Sequence, residues 1–459
     1  MSKALTYKFK GLLTEKDEWI TPAFVSVDHK GIITSISSEK PSVAEIEIVD
    51  GMAIPGFQNA HSHAFQYAMC GLAEMHPAGT NHDDFWSWRE TMYKLALSIS
   101  PDDYQAIATM LYSEMVRHGY THIAEFHYLH HDVNGQPYNN STEIGEQLCL
   151  AAQTAGIELT LIPIFYQKGG FGKEATEGQK RFLHKDADAY LRFLEETKAT
   201  TKKYGFKAVP GFHSLRAVDA ESMQEVANAT KGETTHIHIA EQLKEIEDCQ
   251  TFYGKRPVEW LLYHFEVDSN WHLVHATHLT DAEVAGIANS NAQVVLCPTT
   301  EGNLGDGIFP LRNYLSQNGA WSIGTDSHIG LDPKEELRLI DYGQRLTSHQ
   351  RNTFVNQQSG HSAFNAIKQS WFGGQKAMGI NPYSFFEVGN PFNAAVVNAK
   401  HPLIAAFGQN NWLSAYLYSG DSTAQLGTIV NGKWRWKQGE NESHHKVQEH
   451  FTRVMKSLH

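Results

Sequence analysis

The chain has 459 residues, of which 41% are hydrophobic and 19% charged, and 38 basic against 51 acidic side chains leave a net charge of −13. That is the composition of an ordinary globular protein with a large core. It argues against nucleic acid or an anionic membrane as partner, and no apolar stretch approaches the ~18 residues of a membrane span.

The opening MSKALTYKFKGLL lacks the apolar core and cleavage site of a signal peptide, which predicts a cytoplasmic protein. Cys70, Cys149, Cys249 and Cys297 stand far apart with no CxxC pair, so buried free thiols are expected rather than disulfides or a thiolate zinc site.

In chain order, residues 1–52 read as short strands, including Ala23–Val27 and Ile32–Ile36 about a DHKG turn. They are too few to bury both faces of a sheet alone. From Ala53 the pattern becomes alternating strand and helix. The first strand runs into AIPGFQNAHSH, and the long segment Ala64–Ser100, with a helical aromatic stretch at FWSWRETMY, reads as a lid or wall. Ser100 and Pro101 open a helix that Gly119 stops, followed by a strand at Thr121–Phe126. Asn140–Glu143 opens the next helix, which Gly156 ends.

Strands follow at Ile157–Phe165, Lys207–Phe212, His236–Ala240, Trp271–Ala276, Ala292–Cys297 and Trp321–Thr325. Helices at Asp186–Tyr204, Ala220–Ala229, Pro257–Phe265, Asp281–Ala288 and Leu311–Gln317 separate them. Eight such units predict an α/β chain built on a (β/α)8 TIM-type barrel over 53–384. Helices near Lys334–Leu346 and Ser362–Met378 lead to strands at Asn393–Val397, Trp412–Leu417 and Gly427–Trp436. With residues 1–52, the segment 385–459 is expected to form a small discontinuous β-sandwich domain from both chain ends.

Active sites of such barrels lie at the carboxyl ends of the strands. Strand one offers His61 and His63, two apart and therefore on one side of an extended chain. Strand five offers His236, His238 and Glu241, strand six His272, His275 and His278, and strand eight ends in Thr325-Asp326-Ser327-His328. Histidines and carboxylates gathered at one end of a barrel point to a metal centre with acid–base groups beside it. Alternation along the strands does not choose among His272, His275 and His278.

In order, PGFQNAHSH, HIHIAEQ, LVHATHL and GTDSH resemble the amidohydrolase superfamily in its aminohydrolase branch with one metal ion. The likeness covers nearly the whole chain, including SAFNAIKQSWFGGQKAMGI and VGNPFNAAVV on the return into the small domain. It implies that His61, His63, His238 and Asp326 ligate one Zn2+ per chain, or Fe2+ or another divalent ion. It also implies that Asp326 accepts the proton of an attacking water, that Glu241 passes protons to the leaving nitrogen, and that His275 hydrogen-bonds the developing tetrahedral centre. The additional lysine or glutamate of dinuclear members has no counterpart after Lys207–Phe212, where His213 stands. His236 and His272 are then expected to be hydrogen-bonded core residues.

HSHAFQYAMCGLAE, FWSWRE, AEFHY and FHSLR are similar to the formimidoylglutamate deiminase family within that branch. That likeness implies a dicarboxylate small-molecule substrate held by Gln66, Arg89, Tyr128, His213 and Arg216, and a homodimer. In a protein this acidic, two substrate carboxylates need charge-assisted partners, for which guanidinium groups are suited. The competing expectations are a deaminase of a purine-like heterocycle and a non-catalytic scaffold of the same shape.

Overall fold

In the computed structural model the described residues are 5–42, 45–72, 74, 85–356, 359–440 and 442–458. The part of the expected wall at 75–84 lies outside them.

Eight parallel strands form the central sheet: β1 (Phe57–Ser62), β2 (Tyr120–His127), β3 (Glu158–Phe165), β4 (Gly211–Ser214), β5 (Thr235–Ile239), β6 (Trp271–His275), β7 (Gln293–Leu296) and β8 (Ala320–Ile323), each beside the next. The ring closes where the amides of Thr325 and Asp326 both donate to the carbonyl of His61, at 3.1 and 3.0 Å. Helices cover the outside, and the expected barrel is present. Strand four is shorter than expected. Lys207–Ala208 pairs only with β3, because Pro210 has no N–H to continue a ladder and β4 restarts after it.

Two further sheets flank the barrel. One is built from Leu5–Phe9, Ala23–Val27, Ile33–Ser37 and Ile46–Ile48. The other has the order Lys433–Lys437, Gln425–Val430, Ala394–Asn398, Gly51–Pro55, Gly11–Leu13 and Trp19–Ile20. Tyr7, Phe9 and Val25 from the first meet Leu12, Val396 and Ile429 from the second in a shared apolar core, the packing of a sandwich.

Other elements also differ from expectation. The apolar run before Gly56 belongs to the second of these sheets, with Ala53 paired to Val396, and the barrel begins only at Phe57. Trp412–Leu417 is helical rather than a strand; its large buried residues Trp412, Leu413, Tyr416 and Leu417 recur at i, i+1, i+4 and i+5, a helical period. A helix at Glu442–Leu458, not expected from the sequence, lies against Pro101–Arg117, with His444 2.8 Å from Glu114.

The Ser100 cap is present as a full capping box with Asp103. At the base of the barrel, helix Ser362–Ala377 sits so close that a Cβ on Gly374 would stand 2.3 Å from Cβ of Gln58. Among the described residues no helix is long and apolar enough to cross a membrane.

Candidate active site

The carboxyl ends of β1, β5 and β8 bring His61, His63, His238 and Asp326 together, one ligand atom of each lying within 4.8 Å of the others. Nε2 of His61 is 3.1 Å from Nε2 of His63 and 3.0 Å from Nε2 of His238. Oδ1 of Asp326 is 3.3 and 3.2 Å from Nε2 of His61 and His63. Nδ1 of His63 faces the Phe126 carbonyl at 2.9 Å and Nδ1 of His238 the His213 carbonyl at 3.0 Å. A carbonyl only accepts, so in both rings Nδ1 carries the proton and the neutral ring turns the lone pair of Nε2 inward. Imidazole nitrogens and a carboxylate oxygen converging in this way fit a divalent metal ion, and the fixed outer nitrogens of His63 and His238 orient those two rings for one. Burial pushes His61 down to about 3 and holds His238 well below the usual histidine range.

Backbone shape contributes to this convergence. Ala240, His275, Ala276, Asp326 and His328 all have positive φ at the ends of β5, β6 and β8, a conformation non-glycine residues adopt rarely and chiefly where function fixes it. Asn59 ties β1 to β8, its Nδ2 donating to Thr325 Oγ1 at 2.7 Å while its Oδ1 accepts the Thr325 amide at 3.1 Å. Gly324 lets the two strands approach, since a Cβ there would stand 2.7 Å from that of His61.

Beside the ligand cluster, His275 Nε2 lies 3.7 Å from Glu241 Oε1 and 3.8 Å from Asp326 Oδ2. Burial disfavours its charged ring, but Glu241, Glu301 and Asp326 hold it up at about 10. Burial raises the Glu241 carboxyl, against the pull of His275 and Arg216.

A cavity opens onto these groups. Gln66, Arg89, Tyr128, His213 and Arg216 all line it, with Glu241, His275 and Asp326 at its floor. Gln66 Nε2 donates to the Tyr128 hydroxyl at 2.9 Å. The Arg89 guanidinium stands 5.4 Å over the Tyr93 ring, and that of Arg216 is 3.9 Å from buried Glu245. Burial, and then neighbouring Arg216, keeps His213 neutral.

His236 and His272 lie apart from this cavity, their rings stacked at 4.8 Å in the core, with His236 Nε2 2.9 Å from the Ala377 carbonyl. The sequence reading missed Glu245, Glu301 and Asp306. Glu301 follows the end of β7, so the strand-end rule that found the other groups applied to it as well. Glu245 is one helical turn beyond Glu241. Asp306, whose carboxyl burial and Glu241 push up to about 9, carries no such signal.

A barrel with a histidine–aspartate donor set and acid–base groups at the ends of its strands defines a metal-dependent hydrolase. Residues 52–435 match the model of the amidohydrolase family, and the chain belongs to that family. It is 39% identical over 442 residues to the formimidoylglutamate deiminase of Pseudomonas aeruginosa, covering 96% of each chain. It is 35% identical, with a TM-score of 0.91 and full coverage of both chains, to the crystal structure of an amidohydrolase from Brucella melitensis. An adenosine deaminase from Xanthomonas campestris with bound zinc shares the fold at 18% identity and a TM-score of 0.79, covering 98% of each chain. The chain is a hydrolase acting on C–N bonds.

Proposed function

We propose that the protein hydrolyses N-formimidoyl-L-glutamate to N-formyl-L-glutamate and ammonia, using one zinc ion held by His61, His63, His238 and Asp326. The observation that carries this reading is the cavity itself: two guanidinium groups, on Arg89 and Arg216, line the same space as Glu241, His275 and Asp326. A dicarboxylate with a reactive amidine on the nitrogen beside one of its carboxylates matches that pairing, because charge-assisted bonds to planar guanidinium groups fix both carboxylates and so hold the amidine in place. The similarity to the Pseudomonas deiminase points the same way.

When bound, such a cation supplies Lewis-acid activation of water at neutral pH. The residues do the rest. Arg89 and Arg216 hold the glutamate carboxylates, and Gln66, Tyr128 and His213 place the amidine over the floor of the cavity. The water oxygen adds to the formimidoyl carbon while one of its protons passes to Asp326. His275 Nε2 donates a hydrogen bond to that oxygen. Glu241 carries both water protons in turn to the terminal nitrogen, the C–N bond to it breaks, and ammonia leaves while the oxygen, now without protons, remains as the formyl group.

The test is zinc-loaded protein given N-formimidoyl-L-glutamate, with ammonia, formamide and glutamate assayed together. Ammonia without glutamate is expected. Formamide with glutamate means that the other C–N bond breaks, and no turnover alongside deamination of guanine or a thioadenosine overturns the reading. Arg216→Met should lower kcat/KM by about 10- to 100-fold through loss of a charged hydrogen bond of roughly 1.5–3 kcal/mol.

A further inference from the structure

We infer that Glu301 is a positioning residue for His275, fixing the plane and the proton arrangement of the ring that faces the reacting oxygen. The inference rests on the reading of the cavity as a C–N hydrolase site. After β7 the chain turns at Cys297 into the short helix Pro298–Leu304, and Glu301 lies in its first turn. Its Oε1 accepts the Cys297 amide at 2.9 Å and also faces His275 Nδ1 at 3.2 Å. Both side chains are nearly sealed from water, 7% and 1% exposed. The helix is pinned in turn by Thr299, whose amide and hydroxyl donate to buried Glu336 at 3.0 and 2.6 Å.

With Nδ1–H given to Glu301, the remaining nitrogen of His275 is aimed at Glu241 and Asp326. The ring stands on a residue at φ 68°, followed by Ala276 at φ 49°, so the strand continuation alone does not set its direction. A carboxylate behind an imidazole fixes tautomer and orientation and favours the charged ring when negative charge develops on its far side. Capping the helix is the competing role, and it would not involve His275.

Glu301→Gln keeps the size of the side chain and an oxygen for the Cys297 amide but removes the charge. Its kcat is expected to fall about 10- to 100-fold, with KM within about twofold and zinc content and Tm unchanged. In a His275→Gln background the same change should add less than about twofold, because two residues acting as one unit are not additive. In the zinc-loaded wild-type protein, the His275 Nδ1–H should give a low-field proton resonance that disappears in His275→Gln and moves upfield in Glu301→Gln.

Full kcat in Glu301→Gln, full additivity in the double variant, or an unmoved resonance overturns the inference. Should wild-type protein release ammonia from N-formimidoyl-L-glutamate while Glu301→Gln does so equally well, the inference fails and the proposed function stands. Should the wild type deaminate only a heterocyclic amine, the proposed function fails, and the same cycle on that amine together with the resonance still decides the role of Glu301.

Discussion

Asn59 shows how much of the centre depends on residues that are not ligands. Its amide is fully buried and makes both bonds to Thr325 that hold β8 against β1, so the spacing between His61 and Asp326 depends on it. Asn59→Ala leaves the Thr325 amide and hydroxyl without that partner, at about 1–3 kcal/mol. A lower urea midpoint and a metal affinity weakened by about 10- to 100-fold are expected, the second read by competition with a chelator. An unchanged metal affinity at reduced stability would limit Asn59 to packing.

Helices bring the second half of the site. The helix Phe85–Ala96 carries Arg89 to the cavity, and Arg181, with no exposed surface, anchors its end by donating to the carbonyls of Ala96 and, at 2.8 Å, Ile99, and to that of His131 at 2.8 Å. Arg181→Lys replaces a planar fork by a point donor, so KM for the substrate should rise about tenfold with kcat changed less, measured by steady-state kinetics. On the opposite side of the barrel, Gly374→Ala forces helix Ser362–Ala377 off Gln58. A loss of about 1–3 kcal/mol, seen as a drop in Tm, is expected from that overpacking. The C-terminal helix is tied differently. Although burial opposes it, the contacts of Glu114 with His444 and Arg117 hold its carboxyl down to about 2. That stabilisation is complete above the unfolded carboxyl value and is lost as pH falls toward 2. His444→Ala should therefore lower Tm at pH 7 and make no difference near pH 2.

For the molecule as a whole, acid is the expected weakness. Burial keeps His122, His127 and His184 neutral down to about 3 and His236 to about 4, whereas in the unfolded chain they take up protons near their ordinary 6.5. Below pH 6.5 the unfolded chain binds more protons, so stability is full above that value and falls as pH drops toward 3. The slope grows by up to about 1.4 kcal/mol per pH unit for each such histidine. Urea unfolding between pH 7.5 and 4.5 of the wild type and of His184→Asn measures it: the variant's profile should be shallower, and an equal slope would contradict a buried neutral ring at that position. Glu125, which burial raises to about 7, acts in the opposite sense and costs stability as pH rises from the ordinary 4.5 toward 7.

The alternation of strand and helix, and the placing of His61, His63, His238 and Asp326 at strand ends, were legible in the sequence because both are local. Periodicity reports a strand or helix from neighbouring residues, and a strand end is marked by the turn that follows it. The motifs then told which histidines face inward, where alternation alone left His272, His275 and His278 equal. Tertiary structure decided what depends on distant segments. Ala53–Pro55 reads as the first barrel strand until Ala394–Asn398 is seen to pair with it, and Lys207–Phe212 reads as one strand although Pro210 divides it. Glu301 and Asp306 stand 26 and 31 residues beyond His275, and only the pairing of β6 with β7 and the turn of the chain after β7 bring them beside it. The sequence thus determined which residue types stand at the strand ends, and with them the donor set available there, because both are local properties. Only the folded chain decided which carboxylates share the space around His275, because that is a matter of distances no local pattern records.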